Sequence, residues 1–194
     1  HLDLSGQALT ARIDTDRGSA SGVILASGER IAADRVVFNG DAGALSAGLL
    51  GADAARATAP ATRRRRSLSA LVWSATAETR GFPLSHHTIF FGPDYRTEFG
   101  DIFDRRRLAR HATTYVCAQD RDAADGPPPE GPERLHIQVN APADGDIADN
   151  DNLSEREIAR CREETMALMA RAGLEVELTP WNSRLTSPRG FAEL

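Results

Sequence analysis

The alternation of apolar and polar residues predicts short strands along most of this chain. In the first part it predicts strands at 9–13, 22–26 and 29–32, with residues 14–21 as a turn-rich loop of a long hairpin. The compact apolar run 35–38 is typical of a buried strand. Further strands are predicted at 67–77, 88–91, 113–117, 135–139 and 174–179.

Three segments instead carry the spacing and the end signals of helices. Asp41 is a good N-cap for a short helix that reaches residue 50 and is closed by Gly51. Aromatic residues recur at helical spacing within 94–103. Ser154 and Glu157 form a capping-box pattern before a long amphipathic segment that ends at Gly173. The pattern as a whole predicts an α+β fold.

Composition narrows the function classes without selecting one. The 194 residues are 41% hydrophobic and 26% charged, which is typical of a globular protein. The net charge of −5 argues against a nucleic-acid partner, because such proteins carry a basic face. Two cysteines are too few for a disulfide framework and favour a reducing, cytoplasmic setting. All 23 basic residues are arginine, which leaves no lysine for Schiff-base chemistry within this chain.

The usual signatures of cofactor and metal sites do not occur in the sequence. It has no G-x-G-x-x-G loop, no paired His-x-x-x-His or Cys-x-x-Cys, and no G-x-S-x-G elbow. His86 and His87 are neighbours on a predicted strand, so their side chains should point to opposite faces and should not share a metal ion. Because the face of His87 also holds Ile89 and Phe91, we expect His87 to be the more buried histidine. These residues predict no metal site and no recognisable catalytic group.

Several segments, taken in order, resemble one family. Residues 22–41 (GVILASGERIAADRVVFNGD) are followed by the His86-His87 block, by Tyr115-Val-Cys-Ala-Gln-Asp-Arg121, by 135–142 and by Leu185-Thr-Ser-Pro-Arg-Gly-Phe191. This succession is similar to the middle of the bacterial carotenoid desaturases, FAD-dependent enzymes related to phytoene desaturase. Trp73, residues 81–84 and residues 115–119 are more similar to the hydroxycarotenoid (methoxyneurosporene) 3,4-desaturases within that family.

The resemblance implies a domain organisation and an activity. Residues 1–50 would be part of an FAD-binding domain with a β-meander, and residues 51–66 would be a linker. Residues 67–180 would form a substrate-binding domain with a mixed or antiparallel sheet and packed helices. Residues 181–194 would lead back to the FAD domain. The implied reaction is C–C dehydrogenation of a hydroxylated or methoxylated acyclic carotenoid by hydride transfer to flavin. Because both glycine-rich FAD segments of the family are missing, the chain alone is expected to be inert and to bind FAD weakly or not at all.

The resemblance also implies site residues. Asn39, Gly40 and Asp41 would lie near the cofactor. An apolar path for the carotenoid would be lined by six residues, for whose aromatic members plain core packing is the favoured alternative: Trp73, His87, Phe90, Phe91, Tyr95 and Tyr115.

Three further alternatives remain open at this point. The arginine run 63–66 is either a solvated edge or a contact with lipid head groups, as expected for a cytoplasmic enzyme that associates peripherally with a membrane. The chain could instead be a stand-alone module that binds an apolar ligand or a partner protein. A third alternative keeps the flavoenzyme but places it among phytoene desaturases, retinol saturases or amine oxidases.

Overall fold

The computed structural model describes residues 9–59, 66–121, 129–146 and 153–193. The chain divides into two compact units, His1–Arg66 and Ser67–Leu194. Both contain helices and antiparallel sheets, so the prediction of an α+β fold is confirmed. Residues 63–65 of the arginine run lie outside the described residues. Within the described part of the chain, no helix is both long and apolar enough to cross a bilayer.

The first unit is built on a three-stranded antiparallel meander. Its first hairpin is tight, because Asp16 pairs with Ser19 across a two-residue turn. That turn is formed by Arg17 and Gly18, whose φ angles of 50° and 82° suit the strongly twisted turns of hairpins. The prediction of a long loop over residues 14–21 is therefore wrong. The strands are β1 (Thr10–Asp16), β2 (Ser19–Leu25) and β3 (Arg30–Ala32).

The apolar run 35–38 does not form the predicted buried strand. It adopts no regular structure, and Val37 is 93% exposed. The run pairs with no strand among the residues that the structure describes, so its backbone gains none of the ladder hydrogen bonds that a strand requires. The apolar pattern alone was therefore insufficient to specify a strand.

Two short helices complete the first unit. The carboxylate of Asp41 accepts a hydrogen bond from the backbone N–H of Gly43, which confirms the predicted N-cap. The helix is shorter than predicted, however, because the chain turns at Gly48 with a φ of 80°. The helices are α1 (Ala42–Ser46) and α2 (Ala52–Ala55).

The second unit contains the largest sheet. Its strands pair in the order β10 (Ser183–Thr186), β4 (Ser69–Ala77), β8 (Glu133–Ala141), β7 (Thr114–Ala118) and β6 (His87–Phe90), and every pairing is antiparallel. The two central strands pair along their whole length, from Ser69 opposite Ala141 to Ala77 opposite Glu133. A separate two-stranded sheet is formed by β5 (Thr79–Gly81) and β9 (Leu174–Val176).

One face of the five-stranded sheet is covered, and it holds the hydrophobic core. Every second residue of its central strands is buried there, against the long amphipathic helix α4 (Glu155–Arg171). This helix begins as predicted, because the Ser154 hydroxyl accepts a hydrogen bond from the N–H of Glu157. We call this side of the sheet the covered face, and its core includes Leu71, Trp73, Val116, Leu135, Ile137 and Val139, together with Cys161 and Met169 of α4.

A run of aromatic rings lies along the predicted helix that follows β6. The rings of Phe91, Tyr95, Phe99 and Phe103 contact one another in succession, with centroids 6.0, 4.9 and 6.1 Å apart. Asp94 caps the helix, which continues into a π-helical turn at Gly100–Asp104. The remaining helices are α3 (Tyr95–Phe99), α4 (Glu155–Arg171) and α5 (Pro188–Ala192).

Candidate functional site on the open face of the sheet

The side of the five-stranded sheet opposite the core presents a different set of side chains. In the strand register, His87 lies opposite Cys117, which lies opposite His136. In the next such row, Ile89 lies opposite Tyr115, which lies opposite Gln138. Directly paired residues point to the same side of a sheet, so these six share one surface. They are exposed or half-buried, and we call this surface the open face.

Imidazole, phenol and amide groups are hydrogen-bonded to one another on the open face. The Nδ1 atom of His87 lies 2.7 Å from the hydroxyl of Tyr115, and the two rings stack with centroids 5.9 Å apart. The Nε2 atom of His136 lies 3.1 Å from the side-chain oxygen of Gln138. No carboxylate belongs to the six residues of this surface. These six residues therefore offer one aliphatic side chain, Ile89, and several hydrogen-bonding groups, but no acid–base pair of carboxylates.

The phenol of Tyr115 is kept in its neutral form. Burial raises the pKa of Tyr115, and the nearby Cys117 raises it further through a hydrogen bond and through charge repulsion. The hydroxyl therefore retains its proton at physiological pH and can act as a hydrogen-bond donor.

The two neighbouring histidines do not have the burial that strand alternation predicted. His86 is half-buried and His87 is exposed, so the expectation that His87 is the more buried is wrong. Phe90, on the opposite face of the strand, enters the core and packs against Phe82 at a centroid distance of 5.1 Å. Ile89, on the face of His87, is consequently 52% exposed.

The six residues assigned to a carotenoid path lie in three different places. Trp73 and Phe90 are only 3% and 6% exposed and belong to the core of the covered face, where packing explains them. Phe91 and Tyr95 are exposed members of the aromatic run. Only His87 and Tyr115 meet on the open face. The structure therefore brings together two of the six residues at this site.

The residues assigned to the cofactor do not form a phosphate site. Asn39, Gly40 and Asp41 are exposed and lead into α1, which has five residues. A diphosphate is bound at a helix start by free backbone N–H groups. Here the Asp41 carboxylate already accepts from the N–H of Gly43 at 2.8 Å, and its negative charge would repel a phosphate. These residues therefore do not fit the diphosphate of FAD.

Sequence reasoning missed three residues of the open face: Cys117, His136 and Gln138. The signal was present, because they alternate with Val116, Ile137 and other buried residues along two strands that the pattern did predict. Polar residues at every second position of a strand mark its uncovered side. The register between the strands, which places the three beside one another, is not contained in that alternation.

Comparison with known proteins identifies the family. The chain is 50% identical over 177 residues to the hydroxyneurosporene desaturase of Rubrivivax gelatinosus, an alignment that covers 91% of this chain and 33% of that protein. It is 43% identical over 188 residues to that of Cereibacter sphaeroides, covering 96% and 36% respectively. For Rhodobacter capsulatus the values are 38% over 182 residues, covering 93% and 35%. No protein-family model matches the chain.

The chain belongs to the carotenoid desaturase family, as its sequence predicted. Within the family, the hydroxyneurosporene desaturases match nearly the whole chain, whereas phytoene desaturases match shorter parts of it. The chain spans about a third of the length of the hydroxyneurosporene desaturases that it matches.

Proposed function

We propose that the protein is an oxidoreductase that introduces a double bond into a hydroxylated or methoxylated acyclic carotenoid. The observation that carries the proposal is the 50% identity to a hydroxyneurosporene desaturase across 91% of the chain. In this proposal residues 67–180 form the substrate-binding domain, residues 1–50 belong to an FAD-binding domain, and 51–66 link them.

The chemistry of the open face supports this substrate class. A polyene offers no charge to recognise, so its binding depends on apolar contact and on hydrogen bonds to its oxygen-bearing end. Ile89 supplies an apolar side chain, while His87 and Tyr115 supply a hydrogen-bonded pair that can turn toward a hydroxyl or methoxy oxygen. We propose that this pair binds the oxygen function and thereby orients the carotenoid.

FAD is the proposed hydrogen acceptor of the complete protein. Since Asn39, Gly40 and Asp41 do not fit its diphosphate, other parts of the polypeptide would hold it, and the 194-residue chain alone would bind FAD weakly and have no activity. We further propose a cytoplasmic location with peripheral attachment to a membrane surface, where an apolar substrate is available.

Product analysis tests this function. The complete reading frame that encodes this chain would be expressed in a host that accumulates hydroxyneurosporene, and in a second host that accumulates phytoene. We expect a product lighter by one H₂ in the first host and little conversion in the second. Conversion of phytoene alone would favour a phytoene desaturase, and conversion of neither would favour a binding module without catalytic activity.

Variants of the open face test the proposed substrate contacts. Tyr115→Phe removes the phenol hydroxyl, and His87→Asn removes the Nε2 end of the imidazole; each should lower turnover of the hydroxylated substrate about three- to tenfold. His111→Asn is the matched control, because His111 is exposed on the loop before β7 and Asn tolerates its φ of 56°. Equal activity in His87→Asn, Tyr115→Phe and the control would contradict the placement of the substrate on the open face.

A further inference from the structure

His86, His87 and Cys117 come together at the start of β6 in a way that strand alternation does not permit. His86 lies in a bend just before the strand, so it does not point away from His87 as a strand residue would. The two imidazole rings meet edge to face with centroids 4.4 Å apart. Cys117 lies directly opposite His87 in the register of β6 and β7. One ligand atom from each of the three side chains lies within 4.8 Å of the other two.

Hydrogen bonds already orient both imidazoles. The Nδ1 atom of His86 lies 2.5 Å from the backbone carbonyl of Arg121, a group that can only accept, so Nδ1 carries the proton and Nε2 carries the lone pair. The Nδ1 atom of His87 lies 2.7 Å from the Tyr115 hydroxyl, and in the tautomer in which Nδ1 donates to that oxygen, the lone pair of Nε2 can bind a metal. Metal-binding histidines are usually held by a hydrogen bond of this kind at the second ring nitrogen.

The guanidinium of Arg121, the residue whose carbonyl holds His86, is compensated. The side chain of Arg121 makes two hydrogen bonds to the Glu133 carboxylate, at 2.8 and 2.7 Å, and a third to the carbonyl of Leu84. Because that guanidinium is paired, it does not oppose a cation bound by the neighbouring imidazoles as strongly as a free arginine would.

The donor set indicates which ion would bind. Two imidazole nitrogens and one thiolate suit Zn²⁺ and similar transition-metal ions, whereas Mg²⁺ and Ca²⁺ prefer oxygen ligands. Bonds of about 2.0–2.3 Å would draw the three ligand atoms closer together than they are now, which small shifts of the exposed His87 side chain and the Tyr115 hydroxyl can provide together. Exposure of His87 also leaves a fourth coordination position open to solvent.

We propose that His86, His87 and Cys117 form a binding site for one Zn²⁺-type ion, with three protein ligands and a fourth position open to water or a small ligand. On binding, the Cys117 thiol releases its proton to solvent and the thiolate bonds the metal. The ion joins the bend before β6 to β7, so it stabilises the folded protein. This site replaces the expectation of no shared metal, which assumed that both histidines lie on the strand. The proposal does not depend on the desaturase activity.

Titration of the purified, chelator-treated protein with Co²⁺ tests the site, because Co²⁺ replaces Zn²⁺ and reports its ligands by absorbance. We expect saturation at one ion per chain, with a thiolate-to-metal charge-transfer band and the visible bands of four-coordinate cobalt. Zn²⁺ should displace the cobalt. An absence of saturable binding would overturn the proposal.

Variants assign the binding to these side chains. Cys117→Ser should abolish the charge-transfer band, and His87→Asn should weaken Co²⁺ binding at least about tenfold. His111→Asn should bind as the wild type does. Since His87 is exposed, His87→Asn should keep the wild-type circular dichroism spectrum, so its lost affinity cannot come from misfolding. Unchanged binding in both Cys117→Ser and His87→Asn would place the ion elsewhere and refute this site.

Discussion

The two faces of the five-stranded sheet are built from the same strands but carry different kinds of side chain. On the covered face, Leu71, Val116 and Ile137 are completely shielded from solvent. On the open face, the residues next to Val116 and Ile137 in sequence carry hydroxyl, thiol, imidazole or amide groups, and two pairs on this face are hydrogen-bonded. Stability is therefore concentrated on one side of the sheet, and the groups able to bind a ligand or an ion are concentrated on the other. Substitutions at neighbouring positions should separate the two roles.

The buried ion pair at the end of the covered face should give the largest effect on stability. Glu133 and Arg121 are only 2% and 11% exposed at their side chains, and the Thr79 hydroxyl also donates to the carboxylate. Arg121→Met should lower the free energy of unfolding by about 3–5 kcal/mol, because it leaves a buried carboxylate unpaired. Urea denaturation measures this. The exposed Arg134–Asp120 pair is the control, and Arg134→Met should cost far less; equal losses would show that burial is not the cause.

The same pair predicts a pH dependence. Burial by itself would raise the pKa of Glu133, but hydrogen bonds from Arg121 and Thr79 outweigh it, so the pKa lies below its ordinary value of 4.5. A carboxyl whose pKa is lowered by folding adds stability above pH 4.5, and this contribution is lost as the pH falls through the folded-state pKa. Denaturation curves measured at decreasing pH should thus show that the free energy of unfolding falls more steeply in the wild type than in Glu133→Gln. Parallel pH profiles would contradict the assignment.

Adjacent residues of β8 give the most direct comparison of the faces. Ile137 is fully buried, so Ile137→Ala should lower the free energy of unfolding by about 2–5 kcal/mol by leaving a cavity. Gln138 lies on the open face, and Gln138→Ala should change it by less than about 0.5 kcal/mol. Both values come from chemical denaturation. A comparable loss in the two variants would mean that the open face is also packed in solution.

The reactivity of the two cysteines should show the same difference in solvent exposure between the covered face and the open face. Burial raises the pKa of the Cys161 thiol to about 11, whereas Cys117 is half-buried on the open face. Thiol reagents attack the thiolate, so at pH 8 we expect Cys117 to react at least about tenfold faster than Cys161. Mass spectrometry of the labelled protein measures both rates. Cys117→Ser should leave only slow labelling, and fast labelling of Cys161 in the native state would contradict its burial.

The cap of α4, the helix that covers the core, should give the smallest effect. Ser154→Ala removes the acceptor for the N–H of Glu157 and should lower the free energy of unfolding by about 1 kcal/mol. Ser74→Ala, at an exposed position of β4, should have an effect below about 0.5 kcal/mol. Thermal and chemical denaturation would both detect the difference. Equal losses of stability in Ser154→Ala and Ser74→Ala would show that the cap does not stabilise the protein.

The sequence determined those elements whose signals are local. The start of α4 follows from the hydroxyl of Ser154 and the position of Glu157, and the central strands follow from alternation, because a cap or a pleat depends on residues a few positions apart. The family was likewise predictable, since the order of short segments along the chain carries it. The apolar run 35–38 failed as a strand because a strand also needs a partner, which its own residues cannot specify.

Only the tertiary structure decided which side of each strand faces the core and which residues meet across strands. Entry of the Phe90 ring into the core turned Ile89 and His87 outward, against the expectation from their own face of the strand. The register of β6, β7 and β8 then placed Cys117 and Tyr115 beside His87. The physical reason is that burial and pairing are non-local: the free energy of a contact depends on residues far apart in the chain, which local spacing does not record.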